Sequence, residues 1–298
     1  MTSARTFPLF AFVALLGGGI AIGFAGIFMR LSDVSPLASA FWRMALAAPF
    51  LWIWAFAVRK QDKASGKRID FTRVLALSGI YFAGDMGIWH LSLHYTTVAN
   101  ATLLSNFAPI CIALWMWIAH RIRFARIFVI GLIIALIGAV MLVGPNTMAS
   151  GAAGANKLLG DALGLSTAVF YAAYQLAIKD ARSQYSTARL MAWSTTITAL
   201  ALLPFGLLSS GAFFPAASAG WLPLLALALI AQIGGQTVIA YAFAHLPASL
   251  SSVSLLIQPL TATIAAWILF QEAIGPIQMA GGLLLLFGIY LSKRGSSI

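Results

Sequence analysis

Asp85 lies in the middle of the apolar run VLALSGIYFAGDMGIWHLSL, about ten residues from either end. An ionised side chain at such a depth is costly unless it faces protein or a wet cavity. Ser78, Tyr81, Asp85, Trp89 and Ser92 recur at steps of three or four, which puts them on one face of a helix. A carboxylate so placed can hold the ammonium of a zwitterion or carry a proton. It can equally form a structural ion pair with Arg43, a cation inside a neighbouring apolar run.

Other polar groups stand inside apolar runs at helical spacing. Tyr171, Tyr174 and Gln175 share one run, and Gln232 and Gln236 another, with Gly234 and Gly235 between them. Thr102 and Asn106 precede Pro109, and Gln258 stands directly before Pro259, with Ser251, Ser254 and Thr261 nearby. A proline inside a helix leaves a carbonyl one turn back unpaired, which at membrane depth is tolerated only against protein or water. Tyr81, Trp89, Tyr171 and Tyr174 can form a box for a flat apolar group or a cation. The amides of Asn106, Gln175, Gln232, Gln236 and Gln258 would give it direction. Plainer roles compete: rings fill cores and interfacial belts, and small polar residues join helices. His90 and His94 are one turn apart, a spacing open to a metal, but no third ligand accompanies them and no metal site is expected. Asp161 and Glu272 read as solvated charges at helix ends. Glycines 17, 18, 19, 23 and 26 mark a close-packing or bending face of the first run.

Membrane-spanning helices must carry these groups. The chain is 61% hydrophobic and 8% charged, against about a quarter charged in globular domains. A helical crossing needs about 20 apolar residues, and ten such runs are present: 8–29, 36–58, 74–95, 98–119, 126–144, 158–179, 188–210, 221–244, 248–270 and 275–292. They are continuous rather than alternating, which excludes a barrel and predicts an all-α polytopic membrane protein. Of the 18 Lys and Arg, fifteen fall in the segments that are inside when the N-terminus is inside, and only Arg30 and Lys157 fall outside. That bias predicts cytoplasmic termini. The net charge of +11 is therefore topological, and no nucleic-acid partner is expected. A single cysteine, Cys111, excludes an internal disulfide and reads as packing.

The chain also repeats itself. A shift of 150 residues places Gly84 on Gly234, Pro109 on Pro259, Trp117 on Trp267, Gly131 on Gly281 and Gly138 on Gly288. An offset of five crossings reverses direction through the bilayer. The expected architecture is two inverted five-helix repeats, 1–150 and 151–298, with a site near the midplane between them.

The segments LSLHYTTVANATLLSNFAP, LWMWIAHRIRF and GLIIALIGAVML, followed later by AFAHLPASLSSVSLLIQP and AAWILFQEAIGPIQMAGGLLLLFGIYL, resemble the drug/metabolite transporter superfamily of the EamA type. In that family each half ends with a proline-bearing helix, a glutamate-bearing turn and a glycine-rich helix. Pro259, Glu272, Gly275, Gly281, Gly282 and Gly288 match this pattern, whereas Ile122 stands where the first half would carry its glutamate. The resemblance implies an inner-membrane exporter of small molecules working by alternating access in the lipid bilayer. It implies no cofactor and a monomer or homodimer. The substrates it suggests are amino acids, aromatic and other neutral ones, with related cationic drugs or other metabolites as alternatives. Pro109, Pro259, Gly281 and Gly288 take hinge or packing roles in this picture. A channel or a membrane-embedded enzyme would be the competing classes. The enzyme lacks a second buried acid or an H-E-x-x-H motif, and the absence of a GxxxxGK[ST] loop excludes direct ATP drive.

Overall fold

The computed structural model describes residues 8–92, 95, 96, 98–149 and 157–296. Arg5, His94 and the side chains of Asn100 and Lys157 lie outside the described residues, and with them the His90–His94 pair. The first crossing is α1 (Leu9–Gly23), continued past Phe24 by α2 (Ala25–Leu31). Then come α3 (Pro36–Ala57), the short α4 (Arg59–Ala64) in a basic loop, and α5 (Arg73–Ser92). The fourth crossing is split into α6 (Val98–Ser105) and α7 (Ala108–His120), and α8 (Arg126–Ala149) ends the first half. The second half begins with α9 (Lys157–Gln184) and α10 (Thr187–Leu208). Its third crossing joins α11 (Trp221–Ala226), a π-helical stretch Leu227–Gln236 and α12 (Thr237–Phe243). The ninth is split into α13 (Ala248–Ser254) and α14 (Ile257–Phe270), and α15 (Pro276–Gly295) is the tenth.

Among the described residues, nine crossings are long and apolar enough to span a bilayer on those grounds alone. The expected crossing 158–179 lies within α9, whose 28 residues exceed the length a bilayer needs. Its apolar character is diluted by Asp161, Tyr171, Tyr174 and Gln175, which turn toward protein rather than lipid. The result is an all-helical, multi-pass membrane protein.

The backbone repeats where side-chain identity does not. Both split crossings break in front of a proline: Pro109 and Pro259 occupy the first turn of α7 and α14, where a missing N–H costs least. Each lower helix then ends on a non-glycine residue in the left-handed region, Arg121 at φ 53° and Gln271 at φ 56°. These two are 150 positions apart. The next backbone N–H reaches back in both copies, from Ile122 to Met116 O at 3.2 Å and from Glu272 to Ala266 O at 3.5 Å. Ser35 and Ser186 cap α3 and α10 in the same way, each accepting from a backbone N–H at 3.3 Å, that of Ala38 and of Arg189 respectively. Such caps contribute about 1 kcal/mol each.

The two halves pack through matching contacts. α3 lies on α10 and α8 on α15, while α5 packs on α9 as the π-helical stretch packs on α1. The α8–α15 seam is antiparallel and very close. Cβ atoms added at Gly131, Gly138, Gly281, Gly288 and Gly295 would each fall within 2.2–2.4 Å or 2.7 Å of a backbone nitrogen on the other helix. Only glycine permits that approach, so Gly281 and Gly288 are packing residues of this seam. In α1, Gly18 meets the carbonyl of Gly235 and Gly23 meets Thr261, whereas Gly17 and Gly26 have open space.

One expected equivalence slips. Gly84 packs on Phe170 of α9, but the glycine that packs on α1 in the second copy is Gly235, against Ile22, rather than Gly234. At this position the offset is 151, as it is between the capping serines Ser35 and Ser186, whereas Pro109 and Pro259, and Arg121 and Gln271, stand 150 apart.

Candidate functional site

Between the halves lies a cavity of about 740 Å³, within the size range of small-molecule sites. Residues near one end of the bundle, Met29, Arg30 and Pro36, form its mouth, and Arg30 pairs there with Glu272. Glu272 is thus a cross-link to a residue 242 positions away and not a merely solvated charge. Asp161 likewise accepts a hydrogen bond from Thr96 Oγ1 at 3.0 Å.

Of the residues singled out by spacing, Arg43, Asp85, Trp89, Asn106, Tyr171, Gln236, Gln258 and Pro259 line this one cavity. The stripe on α5 supplies Asp85 and Trp89, and the split in the fourth crossing supplies Asn106. α9 brings Tyr171. The π-helical stretch brings Gln236, and the break in the ninth crossing brings Gln258. Thr102 and His90 line it as well, whereas Tyr81, Pro109, Tyr174, Gln175 and Gln232 do not. Tyr81 meets Phe170 edge-on at 6.5 Å between ring centroids. Tyr174 is fully buried, stacked on Phe82 at 4.3 Å, and its hydroxyl accepts from Gln236 Nε2 at 2.9 Å. Gln175 is buried, with neither amide atom hydrogen-bonded. Pro109 is buried in helix packing. An aromatic box made of all four expected rings is therefore not formed. Tyr171 and Trp89 face the cavity, whereas Tyr174 lies behind Gln236, below the cavity floor.

The direct ion pair between Arg43 and Asp85 is not formed either. Among the described residues, no nitrogen of Arg43 lies within 4.0 Å of a carboxylate oxygen. Instead Arg43 Nε donates to Gln232 Oε1 at 3.2 Å, and Gln232 Nε2 donates to Thr195 Oγ1 at 3.0 Å. Helical spacing put Gln232 and Gln236 on one face. They nevertheless divide the work: Gln236 reaches the cavity and Gln232 stands behind Arg43. Asp85 has no hydrogen-bond partner among the described residues. A charge in such a place is unsatisfied until water or a ligand meets it.

Three further polar atoms at the cavity are buried and unpaired: Ser39 Oγ, His90 Nε2 and Asn106 Nδ2. The other ring nitrogen of His90 donates to Met86 O at 2.6 Å. Each unpaired group costs about 1–3 kcal/mol and marks a position where a bound solute or water can bond. The remaining wall is apolar, from Ile27, Phe82, Met86 and Trp89. Phe82 and Met86 stand three places before Asp85 and Trp89 on α5, so helical spacing could have found them. Arg30 and Glu272 carry no local signal, because their meeting depends on two crossings far apart in the chain.

Below the floor the bundle is sealed. Tyr174, Ile178, Tyr185, Leu190, Met191 and Phe243 are fully buried. Polar contacts then tie the loops: Tyr185 Oη donates to Thr72 Oγ1 at 2.8 Å, Ser186 Oγ to Asp62 Oδ2 at 2.7 Å, and Lys179 Nζ to Leu246 O at 2.8 Å. The cavity is thus reached from the Arg30–Glu272 end.

Comparison with known proteins agrees with this architecture. The sequence model of the EamA-like transporter family matches twice, over residues 9–144 and 158–294. That of solute carrier family 35 matches residues 88–204. An uncharacterized transporter of Archaeoglobus fulgidus is 27% identical over 294 residues, covering 97% of this chain and 98% of its own length. The pseudopaline exporter CntI of Pseudomonas aeruginosa is 24% identical over 221 residues, covering 74% of this chain and 75% of its own. A solved crystal structure with 16% sequence identity superposes with a TM-score of 0.81 over 97% of this chain and 99% of that one, which speaks to fold. Two consecutive matches to one family, one on each set of five crossings, account for the repeat read from glycine and proline spacing, and the chain belongs to the EamA-like transporter family.

Proposed function

We infer that this transporter is a secondary exporter of the bacterial inner membrane, moving small metabolites outward by alternating access, with neutral and aromatic amino acids as its substrates. Residues 1–150 and 151–298 are its two inverted repeats, both termini are cytoplasmic, and the Arg30–Glu272 mouth faces the outside. The observation that carries this reading is a cavity between two antiparallel copies that is open at one end and sealed at the other. Inverted copies can exchange these two arrangements, so the same cavity can open to the opposite side. Asp85, Trp89, Asn106, Tyr171, Gln236 and Gln258 are the substrate-facing set, and Tyr81, Tyr174, Gln175 and Gln232 support them from behind. Its relatives bear the names of transporters, one of them an exporter, and the lipid-facing, largely apolar surface suits a membrane monomer or homodimer.

Counterflow in proteoliposomes tests this. Labelled phenylalanine outside should accumulate transiently when unlabelled phenylalanine is loaded inside, and the rate should saturate. Flux that rises linearly with concentration and shows no trans-stimulation would indicate a channel. Competition by methyl viologen but by no amino acid would move the substrate to cationic drugs while leaving the carrier intact.

A further inference from the structure

Arg43 is the side chain that the substrate-facing set above leaves without a task. It is buried, lines the cavity, and lies within one apolar crossing, where a cation is costly and marks function more often than packing. Its partners occupy only one of its nitrogens: Nε is bonded to Gln232, while both terminal nitrogens carry no hydrogen bond and are open to the cavity. Gln232 is itself fully buried and fixed by Thr195, and the Phe82 ring lies 5.9 Å from the guanidinium carbon. The fork is thus gripped at its base and presented at its tip. The repeat does not require it. The capping serines Ser35 and Ser186 set an offset of 151 between α3 and α10, and at that offset Arg43 falls on Ser194.

The tip suits a planar anion, since a guanidinium offers two parallel N–H donors to a carboxylate. The cavity restricts which anion. Asp85 faces the same space with no hydrogen bond of its own, so a dianion would meet a like charge, and a simple inorganic ion would leave the apolar wall uncovered. A solute bearing one carboxylate and one ammonium close together satisfies both ends at once. We propose that the terminal nitrogens of Arg43, aimed by Gln232, receive the carboxylate of an α-amino acid whose ammonium is received by Asp85. This rests on the export of amino acids inferred above and assigns the specificity: both charges are required. Arg43 is a binding residue and Gln232 a positioning residue.

The test is equilibrium binding of three labelled probes to the full-length protein in liposomes: phenylalanine, phenylalanine amide, which lacks the carboxylate, and 3-phenylpropionate, which lacks the ammonium. In the wild type each analogue should bind at least tenfold more weakly than phenylalanine. Arg43→Gln should weaken phenylalanine and 3-phenylpropionate at least tenfold and leave the amide unchanged, whereas Asp85→Asn should weaken phenylalanine and the amide and spare 3-phenylpropionate. Gln232→Leu should copy the Arg43 pattern in smaller measure, a selectivity that a general loss of packing would not produce. Equal binding of phenylalanine and its amide by the wild type overturns the proposal without any variant, so a misfolded Arg43→Gln does not shelter it. Equal weakening of all three probes by Arg43→Gln also overturns it. If no amino acid binds the wild type at all, the export reading falls first, and this assignment falls with it.

Discussion

Gly131 and Gly288 stand back to back: a Cβ on Gly131 would fall 2.8 Å from the carbonyl oxygen of Gly288, and one on Gly288 would fall 2.7 Å from that of Gly131. Gly138 and Gly281 repeat the arrangement at 2.7 and 2.8 Å. Shifted by 150, Gly131 becomes Gly281 and Gly138 becomes Gly288. The contacts therefore cross between copies, as a two-fold axis running through the seam requires.

That seam sets the first expectation. Gly288→Ala drives a methyl into the backbone of Ala135, 2.3 Å from its nitrogen, and overpacking of this kind costs about 1–3 kcal/mol. Thermal unfolding in detergent should show a lowered midpoint. Gly17→Ala, with nothing within 4 Å, should unfold within about 1 kcal/mol of wild type and on the stable side, since alanine is the better helix former.

The left-handed ends of α7 and α14 set the second. Arg121 and Gln271 hold φ of 53° and 56°, a conformation that costs a residue with a Cβ about 1–2 kcal/mol. Gln271→Gly should unfold no earlier than wild type, while the β-branched Gln271→Val should unfold earlier by about 1 kcal/mol or more. Equal midpoints for the two variants would mean that this turn is not held as described.

Tyr174 and Gln236 form the third. Removing the hydroxyl in Tyr174→Phe strands the buried Gln236 amide, at a cost of about 1–3 kcal/mol. Gln236→Leu strands the tyrosine hydroxyl in turn. The double variant should lose less stability than the two single losses added together, and a coupling near zero in the double-mutant cycle counts against the bond.

Asp85 differs, because no side chain among the described residues is hydrogen-bonded to it. Asp85→Asn should abolish at least nine-tenths of counterflow while the unfolding midpoint stays level or rises, as a charge without a hydrogen bond is removed from an apolar setting. Loss of flux and folding together would instead assign Asp85 a structural role. Gln236 variants are expected to lose both.

Composition and run length were enough to establish an all-helical membrane protein, because a bilayer accepts few other solutions. Glycine and proline spacing revealed the duplication, since close helix approach and helix breaks each demand a particular residue type. Helical periodicity marked the α5 stripe and picked out several of the polar cavity residues, Asp85, Trp89, Asn106 and Gln258 among them. Spacing put Gln232 and Gln236 on one face, but it did not show that Arg43 would come between Gln232 and the cavity. The partners of long polar side chains were decided by tertiary structure alone. Arg43 lay at a depth that allowed it to reach Asp85, yet it turned to Gln232, 189 positions away. Glu272 looked like a free helix-end charge and found Arg30. Such choices depend on which groups two distant crossings bring within about 3 Å, a distance that one-dimensional pattern does not carry.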